Sequence, residues 1–181
     1  MQGCPFNCTG CVAPDWIPIK AVSIVAVQDL ARRIIASDDL EGITISGGEP
    51  ALQASGLASL LREVKAAKPG LSAIAFSGFT LERLQKKAVS DTGVAEFLNQ
   101  LDVLIDGLYL KDLNDGLGLR GSSNQCIHFL TDRYTAMKDS FESGSRQVEV
   151  HLLKHELLMV GVPSQIAFEA FHSIAGEMKE R

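Results

Sequence analysis

The chain has 181 residues, 46% of them hydrophobic, with 17 basic and 22 acidic side chains and a formal net charge of -5. That length fills one domain with a full core, and the dispersed acidic balance offers no basic field for a nucleic acid. No apolar run is long enough for a bilayer and the first residues lack the basic and apolar regions of a secretory signal, so the chain is expected in the reducing cytoplasm, away from membranes.

The densest chemistry comes first. Cys4, Cys8 and Cys11 stand at C-x3-C-x2-C spacing in Cys4-Pro5-Phe6-Asn7-Cys8-Thr9-Gly10-Cys11. Three thiols cannot all pair with one another as disulfides, whereas thiolates gathered this closely suit a soft metal centre. Two centres are open at this point. Iron–sulfur clusters are usually held by four cysteines, so a cluster on these three leaves one iron with a position for a substrate or cofactor. A structural zinc site is normally closed by four ligands, and only the distant Cys126 and His128 are available to complete one.

Residues 13–22 are linker-like, with Pro14, Trp16 and Pro18, and Trp16 is expected to be a packing anchor. Over residues 25–37, Val27, Leu30, Ile34 and Ile35 recur at helical spacing with Arg32 and Arg33 on another face, which predicts a crossover helix. Ile43-Thr44-Ile45-Ser46 is short, β-branched and bounded by glycines, the pattern of a buried strand. Gly47-Gly48-Glu49-Pro50 follows. The glycines let the backbone bend and approach a ligand, and Pro50 ends the pairing and leads toward a helix. A Gly-Gly pair after a strand is, by itself, most often only a turn.

In this order, the cysteine loop and the Gly-Gly-Glu-Pro turn resemble the radical S-adenosylmethionine superfamily. The resemblance implies a 4Fe-4S cluster on Cys4, Cys8 and Cys11, with the amino and carboxylate groups of S-adenosylmethionine on the fourth iron. It also implies Gly47, Gly48 and Glu49 as cofactor contacts. Many members carry an aromatic residue where Gly10 stands, a departure shared with the activating proteins of anaerobic ribonucleotide reductase.

Leu57, Leu60, Leu61 and Val64 repeat with helical period up to Pro69-Gly70, and residues 72–76 form the next strand. That strand ends in Ser77-Gly78-Phe79-Thr80. An open parallel sheet collects its ligands at such carboxyl ends, so Ser77 is a cofactor candidate, while Thr80 is suited to cap the helix through Leu81 and Leu84. A helix over residues 94–100 leads into Val103-Leu104-Ile105-Asp106-Gly107. The β–α alternation predicts an α/β fold with a parallel sheet and helices outside it. Asp106 closes its strand at the same end as Gly47 and Ser77, where a carboxylate accepts a ribose hydroxyl or caps a turn.

The stretches Asp102-Val103-Leu104-Ile105-Asp106-Gly107, Asp112-Leu113-Asn114-Asp115 and Arg120-Gly121-Ser122-Ser123-Asn124-Gln125 look closely like the anaerobic ribonucleotide reductase activating proteins. They look less closely like pyruvate formate-lyase activating enzyme. Relatives commonly carry a lysine where Leu108 stands here, with Lys111 near. Arg120 and Asn124 are candidates for the cofactor side, a plain turn being the alternative. Cys126 is expected to be a small core residue, and His128, His151, His155 and His172 show no metal spacing on an obvious helix.

Residues 131–144 suggest a helix and a turn, residues 148–153 a strand, residues 155–160 its hairpin mate, and Pro163 opens a last helix with Ile166, Phe168 and Phe171. The expected organisation is a core over residues 1–130 and a C-terminal extension over residues 131–181 packed on the same domain. The resemblance implies an open partial (β/α) barrel whose first strand is missing or truncated. It implies reductive cleavage of S-adenosylmethionine to methionine and a 5′-deoxyadenosyl radical. In the activating branch, that radical takes a Cα hydrogen from a glycine of a partner. The implied partners are a glycyl radical enzyme and an electron donor such as flavodoxin or ferredoxin. A radical S-adenosylmethionine enzyme acting on a small molecule or peptide, and a non-enzymatic iron–sulfur or zinc protein, are the alternatives.

Overall fold

A computed structural model describes residues 1–20, 23–153 and 156–179. The fold is α/β. A four-stranded sheet has the order β1-β2-β3-β4, built from β1 (Gly42–Ile45), β2 (Ser72–Ser77), β3 (Val103–Asp106) and β4 (Cys126–Phe129). β1, β2 and β3 run parallel, and β4 is antiparallel to β3. The chain passes between parallel strands through α2 (Ala54–Ala67), then α3 (Leu81–Ala88) and α4 (Thr92–Gln100), with α1 (Val27–Ile35) packed on α2. This direction of travel brings the turns after β1, β2 and β3, and the start of β4, to one end of the sheet.

Strand alternation divides the apolar residues between two layers. Ile45, Ala73, Ala75 and Leu104 face Leu61, Val64 and Phe97 of the helices, all of them buried. Val103 and Ile105 face the other way, against Phe141, with Ile74, Phe76 and Tyr134 around them. Phe141 lies on α5 (Lys138–Ser143) and meets Phe129 edge-on at 5.5 Å and Tyr134 at 5.3 Å. Beyond it, β5 (Val148–Leu153) and β6 (Glu156–Gly161) form an antiparallel hairpin, and α6 spans Gln165–Lys179. The expected hairpin start at His155 lies outside the described residues. No helix among the described residues is long and apolar enough to cross a membrane.

The helix starts follow from local chemistry. Thr80 accepts from the Arg83 N–H at 3.4 Å, and Asp91 caps α4 by accepting from Val94 at 3.2 Å. Two expectations fail. Trp16 is 47% exposed rather than a packing anchor: its neighbours Pro14 and Pro18 hold the segment on the surface, and its backbone carbonyl is what serves the fold. Cys126 is exposed rather than in the core, because it begins the edge strand β4. Among the described residues, no strand precedes the cysteine loop.

Asp102, just before β3, fastens three elements. Its Oδ2 accepts from the Ala73 N–H at 2.8 Å and from Lys65 Nζ at 3.2 Å, and its Oδ1 from Thr131 Oγ1 at 2.8 Å. Burial pushes this carboxyl up, but the Ala73 N–H, the Thr131 hydroxyl and Lys65 outweigh that, so its pKa lies below the ordinary 3.8. A depressed carboxyl pKa contributes stability above the ordinary value and loses it as pH falls through the folded one. Asp102→Asn should therefore cost about 2–3 kcal/mol at pH 7, the scale of hydrogen bonds to a charged group. The gap from the wild type should narrow below pH 3.8. Urea unfolding at neutral and acid pH checks this, and equal stability at pH 7 would contradict it.

Candidate metal centre

The cysteine loop is held from both sides. The Gly3 and Cys4 N–H groups donate to the carbonyls of Trp16 and Ile17 at 2.8 and 2.9 Å, and Cys11 N–H to the Cys8 carbonyl at 3.1 Å. Phe6 stacks edge-on against Phe79 at 4.8 Å, above the turn that follows β2. Gly78 makes this possible, since a Cβ there would lie 2.4 Å from the Phe6 ring. On the other side Lys111 lies across Gly10, whose φ is +75° and whose Cβ would sit 3.0 Å from the lysine stem. A side chain at that position would be strained by the positive φ and would have to push the lysine stem aside by a few tenths of an ångström.

Gly78→Ala should force Phe6 out of its place and lower the iron bound per chain after anaerobic reconstitution. A Phe6→Ala/Gly78→Ala double variant should lose less than the sum of the single changes, because the two residues share one contact. Full iron content in Gly78→Ala would show that the loop does not depend on the stack.

All three loop thiols are free and half-buried. Burial pushes the Cys4 thiol up, and Glu49, Cys8 and Cys11 add to that against a backbone hydrogen bond from Phe6. Burial likewise raises Cys8, opposed by the Tyr109 N–H and assisted by Cys11. The thiols thus feel one another's charge, a donor set that a cationic centre satisfies. Three thiolates in one loop suit an iron–sulfur cluster with one iron left open, whereas a structural zinc site needs a fourth ligand. Among the described residues, Cys126 and His128, the distant candidates for that fourth ligand, gather with Asp106.

The turn after β1 lies against the entry to this loop. Gly48 and Glu49 N–H groups donate to the carbonyls of Met1 and Gly3 at 2.6 and 2.7 Å. A Cβ at Gly47, whose φ is +109°, would come within 2.2 Å of Met1 N, and one at Gly48 within 2.2 Å of Gly3 O. Both glycines are therefore needed for the approach of the loop's own backbone. Glu49, 1% exposed, spends its carboxylate on protein: Oε1 accepts from Ala51 N–H at 2.9 Å and Ser77 Oγ at 2.8 Å, Oε2 from Gly78 N–H at 2.8 Å. Burial pushes this carboxyl up against the pull of those donors. Glu49 thus ties the turn after β1 to the Gly78 turn under Phe6.

The remaining predicted residues join the same end of the sheet. Asp106 is buried, accepts from the Leu81 N–H and lies beside His128. Asn124 Nδ2 donates to the Leu108 carbonyl at 2.8 Å, and Arg120 Nη2 to Asp115 at 3.0 Å. Gln125 reaches Gly107 at 2.7 Å, and the fully buried Ser122 accepts from Leu110 N–H at 3.1 Å. The loop over residues 120–125 therefore fixes residues 107–110. With the cysteine loop, that segment walls a cavity of ≈ 780 Å³ that reaches Cys8. Sequence reasoning missed Phe6, Gly78, Tyr109 and Gln125. Only the placement of Phe6 midway between Cys4 and Cys8 was a local signal.

The chain is 28% identical over 138 residues to the anaerobic ribonucleoside-triphosphate reductase-activating protein of Salmonella typhi, covering 72% of this chain and 85% of that one. It is 29% identical over 137 residues to the protein of the same name from Enterobacteria phage T4, covering 73% and 82%. The model of the 4Fe-4S single cluster domain family matches residues 1–128, which take in all three loop cysteines and every strand of the main sheet short of Phe129. By that match the chain belongs to the 4Fe-4S single cluster domain family.

Proposed function

We propose that this protein is a radical S-adenosylmethionine oxidoreductase that installs a glycyl radical on a partner enzyme of the anaerobic ribonucleotide reductase type, working in the cytoplasm. The observation that carries the reading is the set of three half-buried thiols in one loop, whose entry is hydrogen-bonded to the Gly47-Gly48-Glu49 turn. The names of the two relatives supply the partner class. The partial barrel remains part of this proposal: three parallel strands and their helices are its core.

Cys4, Cys8 and Cys11 would hold the 4Fe-4S cluster. Such a cluster, with S-adenosylmethionine and one electron from a flavodoxin- or ferredoxin-like donor, would supply reductive cleavage of the sulfonium to methionine and a 5′-deoxyadenosyl radical. The chain's own residues bind and orient. Gly47 and Gly48 bring the backbone close to the cluster loop, and Glu49 and Ser77 fix the turn that seats Phe6. The cavity beside Cys8 gives the cofactor room, and Asn124 steadies its wall through the Leu108 carbonyl, with Asp106 and Arg120 as further candidates for the cofactor side. Preorganised placement and exclusion of water are what a protein contributes when the cofactor carries the difficult step.

Anaerobic reconstitution with reductant and S-adenosylmethionine should yield 5′-deoxyadenosine and methionine. Addition of an anaerobic ribonucleotide reductase should then give a glycyl radical signal by electron paramagnetic resonance. Cleavage without that signal would move the substrate to a small molecule or peptide. No cleavage at all would remove the enzyme reading.

A further inference from the structure

One cluster of ligating side chains lies outside the cysteine loop. In the β3–β4 register Asp106 stands opposite Cys126, and His128, two residues on, shares that face of β4. The three donor atoms lie within 4.8 Å of one another. His128 Nε2 is 2.9 Å from Asp106 Oδ2, and the nitrogen is buried without a hydrogen-bond partner. A buried polar atom this close to a carboxylate and not bonded to it needs an explanation.

We infer that Asp106, Cys126 and His128 form a second metal site, for a borderline-soft divalent cation such as zinc. Nitrogen, sulfur and carboxylate oxygen are the donors zinc takes. A tetrahedral cation about 2.0–2.1 Å from both Nε2 and Oδ2 sets them roughly 3.3–3.4 Å apart, so the pair, now at 2.9 Å, would open by only about 0.4 Å to take it. The Leu81 N–H, donating to Asp106 Oδ2, orients the carboxylate as a ligand's outer partner does. Cys126 is exposed, so the cation reaches the site from solvent and keeps a position there for water or a small anionic ligand. The ion would pin the edge strand β4 to β3 and make Asp106 a metal ligand instead of a hydroxyl acceptor. None of the cluster cysteines enters this inference, and of the residues in the activase reading it shares only Asp106.

The test uses cluster-loaded protein, so that Cys4, Cys8 and Cys11 are already occupied. Equilibrium dialysis against zinc, with metals counted by mass spectrometry, should find one zinc per chain beyond the iron. Cys126→Ser and His128→Gln should each weaken that zinc by roughly tenfold or more, a loss at least as large as that from removing an outer partner, at unchanged iron content and far-UV dichroism. X-ray absorption at the zinc edge should show a single sulfur with nitrogen and oxygen ligands. Zinc that is absent, held equally by both variants, or surrounded by three sulfurs would overturn the assignment. Because iron content and 5′-deoxyadenosine formation are read separately, failure here leaves the activase reading standing, and the reverse holds.

Discussion

Cys8→Ser should abolish iron–sulfur absorbance and 5′-deoxyadenosine formation together while leaving the fold intact. A serine hydroxyl stays protonated where a cysteine ionises, and its hard oxygen is a poor ligand for iron that sulfur normally holds. Cys8 also receives the Tyr109 N–H, so it joins the cluster loop to the cavity wall. The fold survives because Cys4, Cys8 and Cys11 lie in a half-buried loop outside both apolar clusters. The same change at Cys4 or Cys11 should behave alike. Cys126→Ser should keep its iron, since Cys126 lies with Asp106 and His128. Iron and sulfide per chain, with far-UV dichroism as the folding control, decide the matter. A Cys8→Ser protein that keeps its full complement of iron would remove Cys8 from the ligand set.

The parallel part of the sheet was readable because its strands are short buried runs between glycines and helix stops, as in Gly42–Ile45 and Val103–Asp106. The helices between them announced themselves by period, and Leu57, Leu60, Leu61 and Val64 are all buried on α2. β4 was not readable. Cys126-Ile127-His128-Phe129 alternates only weakly, and its antiparallel place at the edge is set by pairing with β3 rather than by its own residues. The cysteines and the Gly-Gly turn were legible as motifs, but their mutual support was not. Glu49 accepts from Ser77 and Gly78, twenty-eight and twenty-nine residues on, and no local pattern reveals such partners. Asp102 and Arg146 look like ordinary surface charges in sequence, and burial with long-range hydrogen-bond partners is what gives them weight.

Arg146→Met should destabilise the protein by about 3–5 kcal/mol, the scale of breaking a buried charged contact set. The side chain is 5% exposed and spends its guanidinium on residues 114–121 and on the Pro163 carbonyl. Nε donates to the Gly118 carbonyl at 3.2 Å, and Nη1 to Asn114 Oδ1 at 2.7 Å and the Pro163 carbonyl at 3.1 Å. Nη2 donates to Leu117 at 3.1 Å, to Gly121 at 3.3 Å and to the Arg120 carbonyl. Burial lowers the Arg146 pKa against the pull of Asp115, 3.6 Å away, and a guanidinium stays charged at neutral pH regardless. Methionine replaces the stem only as far as about Nε and offers no donor, so several buried carbonyls would lose their partner at about 1–3 kcal/mol each where water does not reach. At this chain length the loss corresponds to a fall in Tm of roughly 10 °C. Arg146→Lys should fall between, because one ammonium cannot reach acceptors spread around a planar fork. The loop it braces leads into residues 120–125, which hold residues 107–110 beside Cys8. Amide exchange in Arg146→Met should accordingly quicken over residues 114–125 before it does in α2. A methionine variant within about 1 kcal/mol of the wild type, with the loop's exchange unchanged, would show that the C-terminal segment does not brace the cavity wall.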